Sequence, residues 1–473
     1  MNTLRENKMG TMPVGKVLFQ MALPVALSML VQAVYNVVDS VVVSCISETD
    51  NDALAAVGFA FPVQNIMIGI ATGVSVGVNA LLSRALGAGD REQVSRVARN
   101  GVLLSAMGMV LVALFGMFLA EPFMKTQTHD VETIAYGTRY ISIVTILSFG
   151  IFGELLMERL LQSTGRSTYT LFTQGTGAVI NIILDPILIL EKGDTLFGFI
   201  TMPFGLGMEV AGAAVATVIG QIIAFLLGIY FNLRKNPDVS LSFRGFRPCG
   251  RTMGRILGIG IPSIIMVAIG SIMYSTLNII LKGFDAIAPG LGHTGSTAFG
   301  AYFKLQSFIF MPVFGISNAV LAITAYNYGA KKPERMMKTI RLGCFAAVSI
   351  MIVGTALFHL APEFLLGFFN PSGEMIEVGV PALRSISIPF VAAGVGIIFS
   401  NVFQALGKSI HSMICSICRQ LVVLIPVAYL LSLSDRIELV WYAFPIAEIA
   451  SLSYCIVMMV VLYRKTIRPL GQS

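Results

Sequence analysis

Apolar residues run through this chain in long stretches, and polar residues gather in short segments between them. The runs predict helices over 17–45, 53–83, 101–120, 136–161, 169–190, 208–232, 256–281, 297–327, 342–361, 378–406, 409–433 and 439–463, twelve in all. A membrane-crossing helix needs about 20 apolar residues, so the longer runs have length to spare for tilt or a kink. The segment Met1 to Lys16 is polar, and no small-residue cleavage signature follows it. The first run is therefore expected to be a retained span rather than a leader. The fold class expected is an all-α integral membrane protein with twelve transmembrane helices.

A repeat organises these spans. At a constant shift of 242 residues, Gly58, Gln64, Gly73, Ser75, Gly87, Ala88, Glu92, Arg99 and Gly101 recur as Gly300, Gln306, Gly315, Ser317, Gly329, Ala330, Glu334, Arg341 and Gly343. The same shift carries Gly137 to Gly379, and Gln162, Gly165 and Ser167 to Gln404, Gly407 and Ser409. Pro24 pairs with Pro262 at a slightly smaller shift. Each half holds six spans, an even number, so the halves share one orientation. They are expected to form two six-helix bundles related by a pseudo-twofold axis along the membrane normal. The boundaries read as an N-terminal lobe over 1–233, a basic linker over 234–255 and a C-terminal lobe over 256–473.

Composition agrees: 55% of the 473 residues are hydrophobic and 12% are charged. Little chain remains for a soluble catalytic domain. The net charge of +7 would suggest a nucleic-acid partner in a soluble protein, but here position explains it. With both termini and alternate loops taken as one side, that side holds 24 Lys and Arg and the other side five. Basic loops stay in the cytoplasm, so both termini are expected there, in a multi-pass protein of a prokaryotic inner membrane with no nucleic-acid partner. The six cysteines read as packing thiols, and the pair at Cys415 and Cys418 supplies too few ligands for structural zinc. The four histidines do not cluster in sequence, and Gly407-Lys408-Ser409 lacks both the first glycine and the preceding strand of a phosphate-binding loop. No nucleophile or metal constellation points to an enzyme, and no cofactor is expected. An ion gradient is left as the energy source.

Five acids fall inside spans: Asp39, Glu154, Glu158, Asp185 and Glu448. A lone carboxylate near the bilayer centre costs about 2.5–3.5 kcal/mol on insertion scales, so each needs a partner or a function. Gln32, Tyr35, Asn36 and Asp39 recur at helical spacing and form one polar stripe, a candidate cavity lining. Asn181 lies one turn before Asp185 on the same face. Such an oxygen-only cluster suits a hard cation such as Na⁺, a proton shared between carboxylates, or a structural hydrogen-bond network. No other metal is expected. Glu154 and Glu158 sit one turn apart beside Arg159; Glu158 could pair with that arginine, snorkel to the interface, or act with Glu154. Glu448 could pair with Lys304, Arg384 or Arg419, three cations expected to be buried inside spans.

Leu23-Pro24, the segment Gln32 to Asp39, the run Gln162 to Ser167 and the run Asn181 to Pro186 together resemble the MATE (multidrug and toxic compound extrusion) family over essentially the whole chain. The resemblance implies an antiporter that exports amphipathic, often cationic compounds in exchange for Na⁺ or H⁺, with two lobes rocking between outward-facing and inward-facing states. It implies a cation site built from Asp39, Asn181 and Asp185, with Tyr140 from the fourth span and Thr217 from the sixth, and Pro24 as the bending proline of the first. Members of the NorM-like branch carry acids in the seventh and tenth spans, where this chain has Asn278 and Arg384, so the DinF-like branch fits better. The expected partners are a small amphipathic substrate and the lipid bilayer, and the expected state is a monomer. A flippase for a lipid-linked molecule, favoured by the cations Lys304, Arg384 and Arg419, is the alternative.

Overall fold

The computed structural model describes residues 7–44, 52–191, 193, 195–196, 200–369 and 372–471. Among them, ten helices are long and apolar enough to cross a membrane. Two further spans are each built from a bent pair: Val131–Ile146 with Phe149–Ser163, bent by 44°, and Gly373–Ser387 with Phe390–Ala405, bent by 49°. Counting each pair as one span gives the twelve expected. The breaks fall at Leu147-Ser148 and at Ile388-Pro389, nearly the same place in both halves. Pro389 explains the second, because proline cannot continue the helical hydrogen-bond ladder. The eleventh span also departs from regularity, since Cys418–Leu424 is wound as a π-helix between Ser409–Ile417 and Ile425–Ser432. A two-residue antiparallel pairing, Thr195 with Thr201 and Leu196 with Ile200, lies between the fifth and sixth spans.

The compact units do not divide at the 234–255 linker. One unit is Leu27–Ile264, and the other takes the chain up to Ala26 and again from Ile265 onward. Both divisions fall inside a helix, Val14–Ser44 or Gly250–Lys282, two residues after the interior proline at Pro24 or Pro262. A proline removes one backbone bond and crowds the preceding turn, so the helix can bend or part there at little cost. The first part of the first span thus packs within the unit built largely from the second half of the chain. The first part of the seventh span packs within the other unit.

Small residues make these packings possible. A Cβ on Gly73 would stand 2.6 Å from the Gly260 carbonyl oxygen, and one on Gly260 would stand 2.7 Å from the Gly73 carbonyl oxygen. The repeat partner of Gly73 is Gly315, whose Cβ would meet the Ala26 Cα at 2.6 Å. Helices in lipid gain no hydrophobic drive against one another, so close backbone approach supplies the attraction instead. The short helix Lys8–Thr11 is also pinned. Arg335 donates to the carbonyls of Met9 at 3.0 Å and Met12 at 2.6 Å, and Asn327 donates to the Met9 carbonyl at 3.3 Å.

One turn of the repeat changes its residue without changing its backbone. Gly89, after the second span, has φ +74°, and its counterpart Lys331 takes the same left-handed conformation at φ +55° with a side chain that disfavours it. Lys331→Gly is expected to stabilise the protein by about 1 kcal/mol, measured as a rise in thermal unfolding temperature in detergent.

Candidate functional site

The fifth span, Thr168–Ile189, and the sixth, Glu209–Lys235, cross at a pair of glycines. A Cβ on Gly220 would meet the Gly177 carbonyl oxygen at 2.7 Å, and one on Gly177 would meet the Gly220 carbonyl oxygen at 3.0 Å. Asn181 and Thr217 sit about one turn from this crossing. The contact brings their side chains into reach of each other, and both are buried. Asn181 Nδ2 lies 3.3 Å from both Asp185 Oδ1 and Thr217 Oγ1. The amide is better satisfied in its other orientation: its nitrogen then donates to Asp185 Oδ2 at 2.9 Å, and its oxygen accepts from the Thr217 backbone N–H at 3.1 Å. Asp185 is completely buried, so Asn181 acts as a clip that fixes the carboxylate and ties two spans together.

The first span supplies the other carboxylate. Asp39 lies within electrostatic reach of Asp185, and both carboxylates lie within reach of Tyr35 and Tyr140. Tyr140 is buried and shares a hydrogen bond with the Gln64 side chain. Asp39 Oδ1 is itself buried, and among the described residues it has no hydrogen-bond partner. An unpartnered oxygen of this kind costs free energy, more so for a carboxylate, and Asp39 lies within electrostatic reach of a second carboxylate. Among the described residues, no cationic side chain pairs with either carboxylate. The available oxygens come from two carboxylates, an amide and two hydroxyls, a set that suits a hard cation or a proton.

All five residues expected for the cation site, Asp39, Tyr140, Asn181, Asp185 and Thr217, belong to the unit Leu27–Ile264. Of the expected polar stripe, Tyr35 is half-buried and joins them, whereas Gln32 is exposed. Asn36 lies on the same helix, with its side chain outside the described residues.

Sequence reasoning left Glu154 and Glu158 open. Glu158 does not snorkel, being 2% exposed. Its oxygens accept from the Thr173 hydroxyl and the Gln174 amide, both at 2.7 Å. Arg159 turns instead to Gln162, donating at 2.8 Å. Glu154 is buried too and lies within electrostatic reach of Tyr35, so these acids border the site without forming its core. In the other unit, Glu448 takes Arg419 as its partner at 3.4 Å. Lys304 and Arg384 are exposed, which corrects the expectation of three buried cations.

The family model described as MatE matches residues 24–187 and 262–430, two segments that begin at the two interior prolines. The multidrug export protein MepA of Staphylococcus saprophyticus is 23% identical over 455 residues, covering 96% of this chain and 95% of that protein. An FAD transporter of Shewanella oneidensis is 25% identical over 451 residues, covering 92% of each chain. A crystal structure of a MATE P26A mutant matches the fold with a TM-score of 0.87 at 24% identity, covering 100% of both chains. An outward-facing multidrug resistance MATE transporter of the MOP superfamily matches with the same score, identity and coverage.

If the glycine crossing sets the geometry, Gly220→Ala must force the fifth and sixth spans apart, because the obstructing atom is backbone. A loss of about 1–3 kcal/mol is expected, seen as a lower unfolding temperature of the purified protein.

Proposed function

Because the chain belongs to the MatE family, we propose that it is a secondary antiporter exporting amphipathic organic compounds, drug-like cations among them, in exchange for Na⁺ or H⁺ held near Asp39 and Asp185. The chain is a membrane transporter rather than an enzyme. The name of the MepA relative supports drug export, and the FAD transporter widens the class to other bulky organic molecules. The observation that carries the coupling site is the buried Asp39 Oδ1, without a hydrogen-bond partner among the described residues and within electrostatic reach of the Asp185, Asn181 and Thr217 cluster.

The proposed cycle follows from charge. A cation entering between the carboxylates offsets their repulsion and lets Asp39 close on the cluster, which draws on the first span beyond Ala26. The bend at Pro24 absorbs that movement. Substrate leaves as the cation binds, the lobes rock, and release of the cation on the opposite side restores the repulsion and resets the helix. An exporter of this kind needs an imposed gradient, and each charge moved is worth about 2.3 kcal/mol per 100 mV. The distribution of Lys and Arg supports placing both termini in the cytoplasm, with the protein in an inner membrane. The flippase reading loses support, since Arg419 is already paired with Glu448.

Asp39→Asn keeps the volume of the side chain and removes its charge. Efflux of a fluorescent organic cation from vesicles, driven by an imposed Na⁺ gradient and then by an imposed pH gradient, is expected to fall at least tenfold in this variant. The purified protein should keep its wild-type elution and helix content. Efflux at the wild-type rate under both gradients would refute the assignment. Thr217→Val, which removes one neutral oxygen, should give a smaller loss.

A further inference from the structure

At the ends of the spans where the basic residues gather, the eighth-to-ninth turn and the C-terminal tail enclose a cavity of about 500 Å³. The helix Pro333–Leu360 contributes Lys338 and Arg341, and the segment after the last span contributes Tyr463, Ile467 and Arg468. All three cations are exposed, and among the described residues none makes an ion pair. The repeat shows that this is a departure from the plan of the fold. In the first half, Arg96 is the counterpart of Lys338 and pairs with Glu92 one turn earlier. The second half keeps the same spacing in Glu334 and Lys338, yet the pair is not made; both side chains line the cavity, where the single carboxylate is outnumbered by Lys338, Arg341 and Arg468.

The cavity also continues into apolar surface. On the helix Pro333–Leu360, Phe345 and Ile352 follow Lys338 and Arg341 along one face and are 72% and 54% exposed. On the last span, Ile456 and Val460 lie on the same face as Tyr463, and all three are exposed. From Arg341 to Ile352 the helix rises about 16 Å, close to the roughly 15 Å depth of one leaflet's hydrocarbon. A cationic cup at the membrane surface, with two apolar tracks descending from it, matches a molecule that has an anionic head and acyl tails. A free phosphate would use the cup and leave the tracks bare.

We propose that this cavity binds the headgroup of an anionic phospholipid of the adjoining leaflet, with Lys338, Arg341 and Arg468 holding the phosphate and Tyr463 and Phe345 flanking the chains. Juxtamembrane basic pockets attract such headgroups, and the attraction grows with each added cation. The site lies within one compact unit, separate from the Asp39 and Asp185 cluster in the other. Lipid binding there and cation coupling can therefore fail independently.

The test uses the purified full chain in detergent, mixed with phosphatidylglycerol, phosphatidylcholine or inorganic phosphate and examined by native mass spectrometry. The expected result is a retained phosphatidylglycerol adduct, little phosphatidylcholine, and no displacement of the lipid by millimolar phosphate. The combined Lys338→Gln, Arg341→Gln and Arg468→Gln variant should lose the adduct at least tenfold, and Arg96→Gln should retain it. Arg468→Gln alone, an exposed position beyond the α-helix that ends at Leu462, should give a partial loss and guards against misfolding of the triple variant. Equal retention in the variants, equal binding of phosphatidylcholine, or displacement by phosphate would overturn the proposal. The last outcome would mark a site for a free anion.

Discussion

Hydrocarbon offers a carboxylate neither water nor counter-ions, so Asp39 and Asp185 must find compensation inside the protein. Asp185 receives the Asn181 amide, which a glycine crossing holds in place. Asp39 receives nothing for its buried Oδ1 among the described residues. On the proposed reading, that imbalance is what a small cation would relieve, changing the interaction between two helices. The surrounding features serve that contact. Gly177 and Gly220 allow the approach, Thr217 and Tyr140 add neutral oxygens, and Pro24 lets the helix bearing Asp39 bend.

The second half of the chain repeats the scaffold without repeating the chemistry. Its bent span, its interior proline in the seventh span and its glycine at 315 follow the first half closely. Its intramembrane acid Glu448 meets an arginine set in a π-wound turn through one oxygen, while its buried Oε1, like Asp39 Oδ1, has no hydrogen-bond partner among the described residues. Duplication thus left one copy with two neighbouring carboxylates and the other with a carboxylate beside an arginine. Buried pairs of this kind are costly to break, which suits a structural task.

Much of this was legible in the sequence because bilayer thickness imposes span length and the repeat fixes register. The twelve spans and the membership of the Asp39, Tyr140, Asn181, Asp185 and Thr217 cluster follow from period and resemblance. The unit boundaries did not. The linker at 234–255 is polar and basic, yet the packing divides at Ala26 and Ile264, where a proline weakens a helix that sequence pattern alone reads as continuous. No proline or glycine stands at the bend of Leu147-Ser148, so local residues did not mark it. The partners of Glu158 were hidden for a similar reason. Thr173 and Gln174 lie on another span, and only the crossing angle decides that they, rather than the adjacent Arg159, reach the carboxylate. Lys304 and Arg384 sit in apolar runs, but their facing is set by a helix rotation that composition does not encode.

The central claim is that one small cation is held jointly by the carboxylates of the first and fifth spans. Equilibrium binding of radiolabelled sodium and uptake of protons, both measured on the purified chain, address it directly. The account predicts that one of these cations binds to the wild type and that its binding is lost in Asp39→Asn and in Asp185→Asn alike. Binding that survives either substitution would contradict it.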